Sequence, residues 1–178
     1  MDLVYAVELY LDRACEKEII KLVELMPTAN LTGGFHFWKR APHITLGMFT
    51  EIDEEKAEEK LKKLVRQWKR AQANFTTVGA FPDGVLFISP VMNEFIYTVH
   101  VDVHESFHYP KTGYERYSYG NWLPHLTLVE YKGNNETLLE AFKVLMENFS
   151  TLTGGFDRVA LVKLDTSAME LCSFKLRD

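Results

Sequence analysis

The chain has 178 residues, 47% hydrophobic and 25% charged, which suits one globular unit with a real core and excludes a disordered or fibrous protein. Its formal net charge of -5 argues against a protein that coats long duplex nucleic acid, because that affinity is built from many Lys and Arg contacts to phosphate. No apolar run reaches the ~18 residues of a membrane span, and Cys15 and Cys172 are too few for a disulfide framework or a cysteine-built zinc site.

The opening stretch, MDLVYAVELYLD, lacks a basic leader and alternates in character, so a cytoplasmic, unprocessed monomer with reduced thiols is expected. Leu3, Tyr5, Val7, Leu9 and Leu11 share one face at period two, with Glu8 and Tyr10 on the other, which predicts a strand. Asp12 suits an N-cap, and Cys15, Ile19, Leu22, Val23 and Met26 recur at helical spacing up to Pro27. A Thr/Gly-rich loop over 28–35 leads into Phe37 to Phe49, which contains the pentapeptide PHITL. Asp53 caps a second helix with an inner stripe of Ala57, Leu61, Leu64, Val65 and Trp68. Its Glu/Lys pairs at i,i+4 form the solvated face.

Two strands, Asn74 to Ala80 and Val85 to Ser89, flank a Pro-Asp-Gly turn at 82–84. Residues 91–107 fit both periods: Phe95, Tyr97, Val99, Val101 and Val103 alternate, while Val91, Phe95, Val99, Val103 and Phe107 make one helical stripe. A loop rich in aromatic and basic residues, Tyr109 to Trp122, runs into a second pentapeptide, PHLTL. Asn134 or Asn135 then starts a helix with Leu138, Phe142, Leu145 and Phe149 inward. Strands follow near Val159 to Leu164 and Glu170 to Phe174.

The two pentapeptides, Pro42 to Leu46 and Pro124 to Leu128, are set 82 positions apart at both His and Thr (125 - 43 and 127 - 45). Each is followed by a loop, a helix and strands in the same order, which is what an internal duplication leaves. Extended upstream, it divides the chain into halves of about 1–84 and 85–178 and tips residues 91–107 toward helix. The expected fold class is α+β: one duplicated, bilobal domain, two pseudo-symmetric lobes of mostly antiparallel sheet with outer helices around a central cleft.

In a strand, His43 and Thr45 point to one face while Ile44 and Leu46 point to the other, and His125 and Thr127 repeat the arrangement. A lone His-x-Thr is usually a satisfied polar pair. One PHxTL in a chain of this length is roughly a one-in-a-thousand accident, and two in register point to chemistry. Two imidazoles suit in-line attack at phosphorus, one taking a proton from the nucleophile and the other giving one to the leaving oxygen. Thr hydroxyls would donate to the non-bridging oxygens, and no metal is required.

With PHITL and PHLTL each opening the same downstream pattern, the chain resembles the two-histidine (2H) phosphoesterases, which include the 2'-5' RNA ligase-like proteins. The resemblance covers nearly the whole chain. It implies that His43 and His125 are catalytic, that Thr45 and Thr127 hold the phosphate, and that hydrolysis uses no cofactor. The implied substrates are 2',3'-cyclic phosphates, related cyclic or 2'-5' phosphodiesters, and RNA ends, with reversible 2'-5' ligation as a side reaction; His125 is taken as the base and His43 as the acid. The competing class is a nucleotide or RNA-end binding module with weak or no turnover.

Beyond these four, Lys39 and Arg40 would raise the positive potential ahead of the first motif. Tyr114, Arg116 and Trp122, within a run that also holds Tyr109, Lys111, Tyr117 and Tyr119, have the composition of a base-stacking, phosphate-steering loop. His36 and Trp38 are read as structural. His100, His104 and His108 have the i, i+4, i+8 spacing of helical metal ligands, but HVDVH is not a metalloprotease motif, and they are read as a solvated polar face with no metal. The partner expected is a small nucleotide or RNA end, with no membrane and no long duplex.

Overall fold

The computed structural model describes residues 3–107, 115–165 and 167–178. The elements run β1 (Val4–Leu11), α1 (Arg13–Glu24), β2 (His43–Thr50), α2 (Glu54–Val65), β3 (Gln72–Phe81), β4 (Val85–Pro90), α3 (Glu94–Phe107), a short 3-10 turn (Glu115–Tyr117), β5 (Leu126–Glu130), α4 (Asn135–Asn148), β6 (Leu152–Leu164) and β7 (Ala168–Lys175). Strand-helix-strand-helix-strand is thus written twice, with β7 appended. The ambiguous segment over 91–107 is helical from Glu94 onward, and the motifs fall on β2 and on β5 with His125 immediately ahead of it.

The helix starts follow the expected chemistry. Asp12 accepts from the backbone N–H groups of Ala14 and Cys15, Asp53 from Lys56, and Asn134 from Thr137; each cap of this kind is worth about 1 kcal/mol. Trp68 is buried as its stripe requires, but it lies beyond the end of α2 and donates its indole N–H to Asp102 at 2.8 Å. Cys15 is buried and Cys172 half-buried, both as free thiols, and burial pushes their pKa values up to about 12 and about 11.

All named strands pair antiparallel, in the order β2-β1-β6-β3-β4-β5, with β7 on the far part of β6. The last strand of each run crosses to the other: β6 pairs with β1, and β3 pairs with β4. Each side of the sheet therefore contains strands from both halves of the chain. At the centre, β3 and β6 share only the stretch Gln72–Phe75 against Leu152–Gly155, and this narrow join lets the sheet curl. As a result β2 and β5, at opposite ends of the pairing path, come into contact.

Helices cover the convex side, with α1 and α2 against β6, α3 against β2 and α4 against β4. Beneath them lies one continuous core that includes Ile44, Leu46, Leu126 and Leu128 of the two motifs, all fully buried. That anchors the apolar half of each PHxTL pattern and turns the His-x-Thr half to the concave side.

Both motif strands carry a β-bulge at the same place. The register between β1 and β2 jumps so that Glu8 faces Thr45 while Val7 faces Gly47, leaving Leu46 extra. Between β4 and β5, Phe87 faces Thr127 while Leu86 faces Val129, leaving Leu128 extra. A bulge resets the alternation, so the residues three after each threonine, Met48 and Glu130, return to the concave face. In the first strand the Leu46 carbonyl accepts from His100 Nδ1 (2.8 Å) and His104 Nε2 (3.1 Å). His100 is only 3% exposed and stacks on Trp122 with ring centroids 4.0 Å apart. His100 and His104 thus differ from the expected solvated face: they fasten the bulged residue Leu46, which has no partner residue in the β1–β2 register. His108 lies outside the described residues.

In the second motif, Gly34 packs against the bulge with φ of +108°, and a Cβ there would lie 2.4 Å from the Leu128 carbonyl oxygen. Replacing Gly34 by Ala is expected to destabilise the fold by about 2 kcal/mol or more, from backbone strain and steric overlap together. Urea unfolding of the variant against the wild type measures it; an unchanged midpoint would show that this loop does not pack as described.

Candidate active site

The concave face of β1 presents Ala6, Glu8 and Tyr10. Register places Tyr10 opposite His43 and Glu8 opposite Thr45. On the other side of the sheet, Thr127 stands opposite Phe87. A cleft of about 280 Å³ is lined by His43, Thr45, Met48, Thr127, Glu130, Glu8, Arg40 and Tyr117, with Trp38 and the β6–β7 turn around Asp165 and Ser167 at its rim. It continues into a second hollow lined by His125, Arg116, Asp83, Glu115 and Lys132, which shares Met48, Tyr117, Thr127 and Glu130 with the first. All four motif side chains therefore open onto one continuous concavity.

Each motif histidine is locked the same way. His43 Nδ1–H donates to the carbonyl of Ala41 at 2.9 Å, and His125 Nδ1–H donates to the carbonyl of Leu123 at 2.7 Å. Because a carbonyl can only accept, Nδ1 carries hydrogen in both rings, and Nε2 is the nitrogen left to exchange a proton.

Their surroundings then diverge. His43 Nε2 lies 3.5 Å from Glu8 Oε1, and its ring centroid is 5.6 Å from that of Tyr10. Glu8 Oε2 accepts from the Tyr10 hydroxyl at 2.6 Å and from the Arg40 guanidinium. The Arg158 guanidinium lies 3.8 Å over the Tyr10 ring and bonds Glu170 (2.7 Å) and Ser173 (2.9 Å). His125 is instead enclosed by Phe81, Phe87 and Tyr117, at centroid separations of 4.9, 5.5 and 5.7 Å. Arg116 lies 4.4 Å over Phe81 and pairs with Asp83 at 2.7 Å.

Burial pushes the Glu8 carboxyl up, but His43, Arg40 and Tyr10 together hold it below the usual carboxylate range. Burial draws His43 below the ordinary imidazole value, opposed by the Glu8 carboxylate and reinforced by Arg40 and Arg158. His125 is also drawn down, mainly by burial, with Arg116 and His43 adding to the effect. Burial pushes the Tyr117 phenol up to about 12, so it keeps its proton and can donate.

Of the residues singled out in the sequence, Arg40 and Arg116 line the concavity, each already paired with a carboxylate. Lys39 is exposed at φ of +53° and is not among the lining residues. Trp122 works from behind: its Nε1–H donates to the Thr45 carbonyl at 3.0 Å while its face covers His100. Tyr114 lies outside the described residues. Trp38, expected to be structural, is 54% exposed at the cleft rim, with Phe37 edge-on at 4.9 Å. Glu8, Tyr10 and Glu130 were not foreseen. An acidic residue on the polar face of an otherwise apolar strand was the available signal for Glu8, whereas only the bulge brings Glu130 inward. Among the described residues no group of three or more His, Cys, Asp or Glu could hold a metal ion, and no helix is long and apolar enough to cross a membrane.

The sequence model of the 2'-5' RNA ligase superfamily matches residues 15–168, a span containing both histidine motifs. This chain is a member of the 2'-5' RNA ligase superfamily. Solved structures share the superfamily fold. Escherichia coli LigT in its apo form aligns with a TM-score of 0.67 at 11% identity, covering 100% of both chains. The Thermus thermophilus protein TT0787 aligns at 0.65 and 18% identity over 99% of this chain and 98% of that one. Kluyveromyces marxianus Usb1 aligns at 0.52 and 14% identity over 96% and 97%. No curated protein sequence matches the chain.

Two imidazoles held below their unfolded value make stability depend on pH with a definite sign. The unfolded chain takes up protons from about pH 6.5 downward while the folded one resists, so stability is lost as pH falls through that value. The lowered carboxyl of Glu8 acts in a separate window, below about pH 4.5. Urea unfolding between pH 7.5 and 5.5 is expected to show a falling free energy that flattens in the double variant His43→Gln/His125→Gln. A slope unaffected by the double substitution would contradict the burial assigned to these rings.

Proposed function

We propose that this member of the 2'-5' RNA ligase superfamily is a metal-independent phosphodiesterase that opens 2',3'-cyclic phosphates, or related cyclic and 2'-5' phosphodiesters, of nucleotides or RNA ends. The observation carrying the reading is the matched pair of imidazoles, each fixed by a carbonyl at Nδ1 and each lining the same concavity with its own threonine. The chain acts as one unit, its halves of about 1–84 and 85–178 each supplying one histidine and one threonine. Escherichia coli LigT has been crystallised with 3'-AMP, with phosphate, with ATP and with NADP+, and a small nucleotide is the partner the cleft suits here.

Bound across the seam, a cyclic phosphate would rest between Thr45 and Thr127, with the Tyr117 hydroxyl as a further donor to its charged oxygens. One imidazole accepts the proton of the attacking water at Nε2 as the new P–O bond forms. The other delivers a proton from Nε2 to the ribose oxygen as the old P–O bond breaks. The reverse traffic joins a 2',5' bond when ends are concentrated. Trp38 offers a flat, exposed face to a base, and such stacking tolerates any sequence.

The decisive assay is turnover of the four nucleoside 2',3'-cyclic phosphates and a cyclic-phosphate-ended oligonucleotide in EDTA, with product isomers resolved. His43→Ala and His125→Ala are each expected to cut kcat/KM by about a thousandfold in folded protein. Tight nucleotide binding without histidine-dependent turnover would instead establish the binding-module reading. Trp38→Ala is expected to raise KM severalfold with little change in kcat, because stacking serves ground state and transition state alike; an unchanged KM for every base would remove the stacking role.

A further inference from the structure

Beyond the threonines, the cleft wall carries a carboxylate on one side and a thioether on the other. From His125 into β5 the inward side chains run His125, Thr127, Glu130, and along β2 they run His43, Thr45, Met48. Two pleats of a strand span about 7 Å, so a phosphate held between the histidines and threonines has Glu130 and Met48 as its next neighbours on the side away from the imidazoles. We infer that Glu130 is a specificity-determining residue: it admits substrates with one phosphate and a neutral, hydrogen-bond-donating group such as a 5'-hydroxyl beyond it, and turns away those with a second phosphate there. This rests on the phosphodiesterase reading above and deepens it by setting the charge class of the substrate.

The position of Glu130 is fixed several times over. The bulge at Leu128 turns it inward, and the loop before the first motif clasps its backbone. Its N–H donates to the Gly33 carbonyl at 3.1 Å, and its carbonyl accepts from the Thr32 N–H at 2.8 Å and the Thr32 hydroxyl at 3.0 Å. Gly33 also leaves the room that the carboxylate occupies, since a Cβ there would lie 2.6 Å from Glu130 Oε2. The side chain borders both hollows of the concavity. A carboxylate so placed accepts hydrogen bonds from hydroxyl or amino groups and repels anions.

Its charge is only partly answered. Lys132 Nζ lies 3.1 Å from Glu130 Oε2, but the lysine side chain is 62% exposed against 22% for the glutamate, so water screens the cation more than the anion. Among the described lining residues, Arg40 and Arg116 are engaged by Glu8 and Asp83, and Glu115 and Asp165 stand on the same walls. A second phosphate at this end would meet net negative charge with Lys132 alone in return. A hydroxyl there would find an acceptor in Glu130, and Met48 would cover the apolar edge of the sugar.

The test uses ligand pairs that differ only in the 5' group. Adenosine 3'-monophosphate and adenosine 3',5'-bisphosphate are titrated by calorimetry into wild type, Glu130→Gln and Lys132→Met at about pH 8, where a phosphomonoester is dianionic. In parallel, kcat/KM is compared for adenosine 2',3'-cyclic phosphate with a 5'-hydroxyl and with a 5'-phosphate. Wild type is expected to favour the 5'-hydroxyl member of each pair by about tenfold or more at low salt, and the preference to shrink in about 0.5 M salt because it is Coulombic. Glu130→Gln, which keeps the shape and the backbone clasp, is expected to bring the preference within about threefold. Lys132→Met, on an exposed side chain, is expected to widen it severalfold and decides the matter if the Gln variant does not fold. Equal treatment of both members by wild type overturns the inference, and so does a narrowed preference in Lys132→Met. A preference unmoved by Glu130→Gln or by salt would come from shape alone and overturns it too. Wild type that turns over neither cyclic phosphate would sink the phosphodiesterase reading instead, and the calorimetry would still report whether Glu130 sorts ligands by charge.

Discussion

The motif strands end the sheet, and a sheet edge leaves backbone groups without a ladder partner. Here each edge is closed by residues from the opposite half of the chain. The Thr45 carbonyl of β2 accepts from Trp122, and the bulged Leu46 carbonyl accepts from His100 and His104. At β5, Glu130 exchanges backbone bonds with Thr32 and Gly33, at 2.8 and 3.1 Å, and Gly34 seals the Leu128 bulge. The loop before each motif thus clasps the strand of the other. These crossings draw β2 and β5 together, and the concavity with its two histidines is the space they enclose.

The bulges tie backbone to chemistry. An unbroken strand would send the third residue after each threonine into the core; the extra residue turns Met48 and Glu130 to the cleft instead. At Glu130 this adds a carboxylate, paired with Lys132 at 3.1 Å, to a wall that already holds Glu8 and Asp165. The concavity is therefore not a general anion trap. Among the described lining residues the cations Arg40, Arg116 and Lys132 each answer a carboxylate, so in the proposed reaction the phosphate would be met by hydroxyls and protonated nitrogen. That balance agrees with a chain whose net charge is -5 and with a small substrate rather than a polyanion.

Pseudo-symmetry at the backbone level coexists with asymmetry at the level of charge. Carbonyl locks at Nδ1, bulges and threonines repeat, while the surroundings at Nε2 do not. Removing one member of a buried ionic set such as Glu8, Arg40 and Tyr10 costs about 3–5 kcal/mol in comparable cases, because the remaining charge is stranded. The set is thus fixed as a unit once β1 lies between β2 and β6, and it gives one of two like histidines a counter-charge that the other lacks.

Much of this was legible in the chain. Period-two alternation placed β1, capping residues placed α1, α2 and α4, and the repeat decided between helix and strand over 91–107 where periodicity gave both. The paired PHxTL motifs located the candidate site, because His and Thr two apart in a strand must share a face and the intervening aliphatics must bury. The role of His100 and His104, the exposure of Trp38, the work of Glu8 and the inward turn of Glu130 were decided only by tertiary structure. Each depends on a contact across the two halves or on a bulge that shifts the alternation, and neither leaves a periodic trace in sequence. Local rules fix which face a residue takes within its own element; which partner waits on that face is settled when β6 crosses to β1 and the edges of the sheet meet.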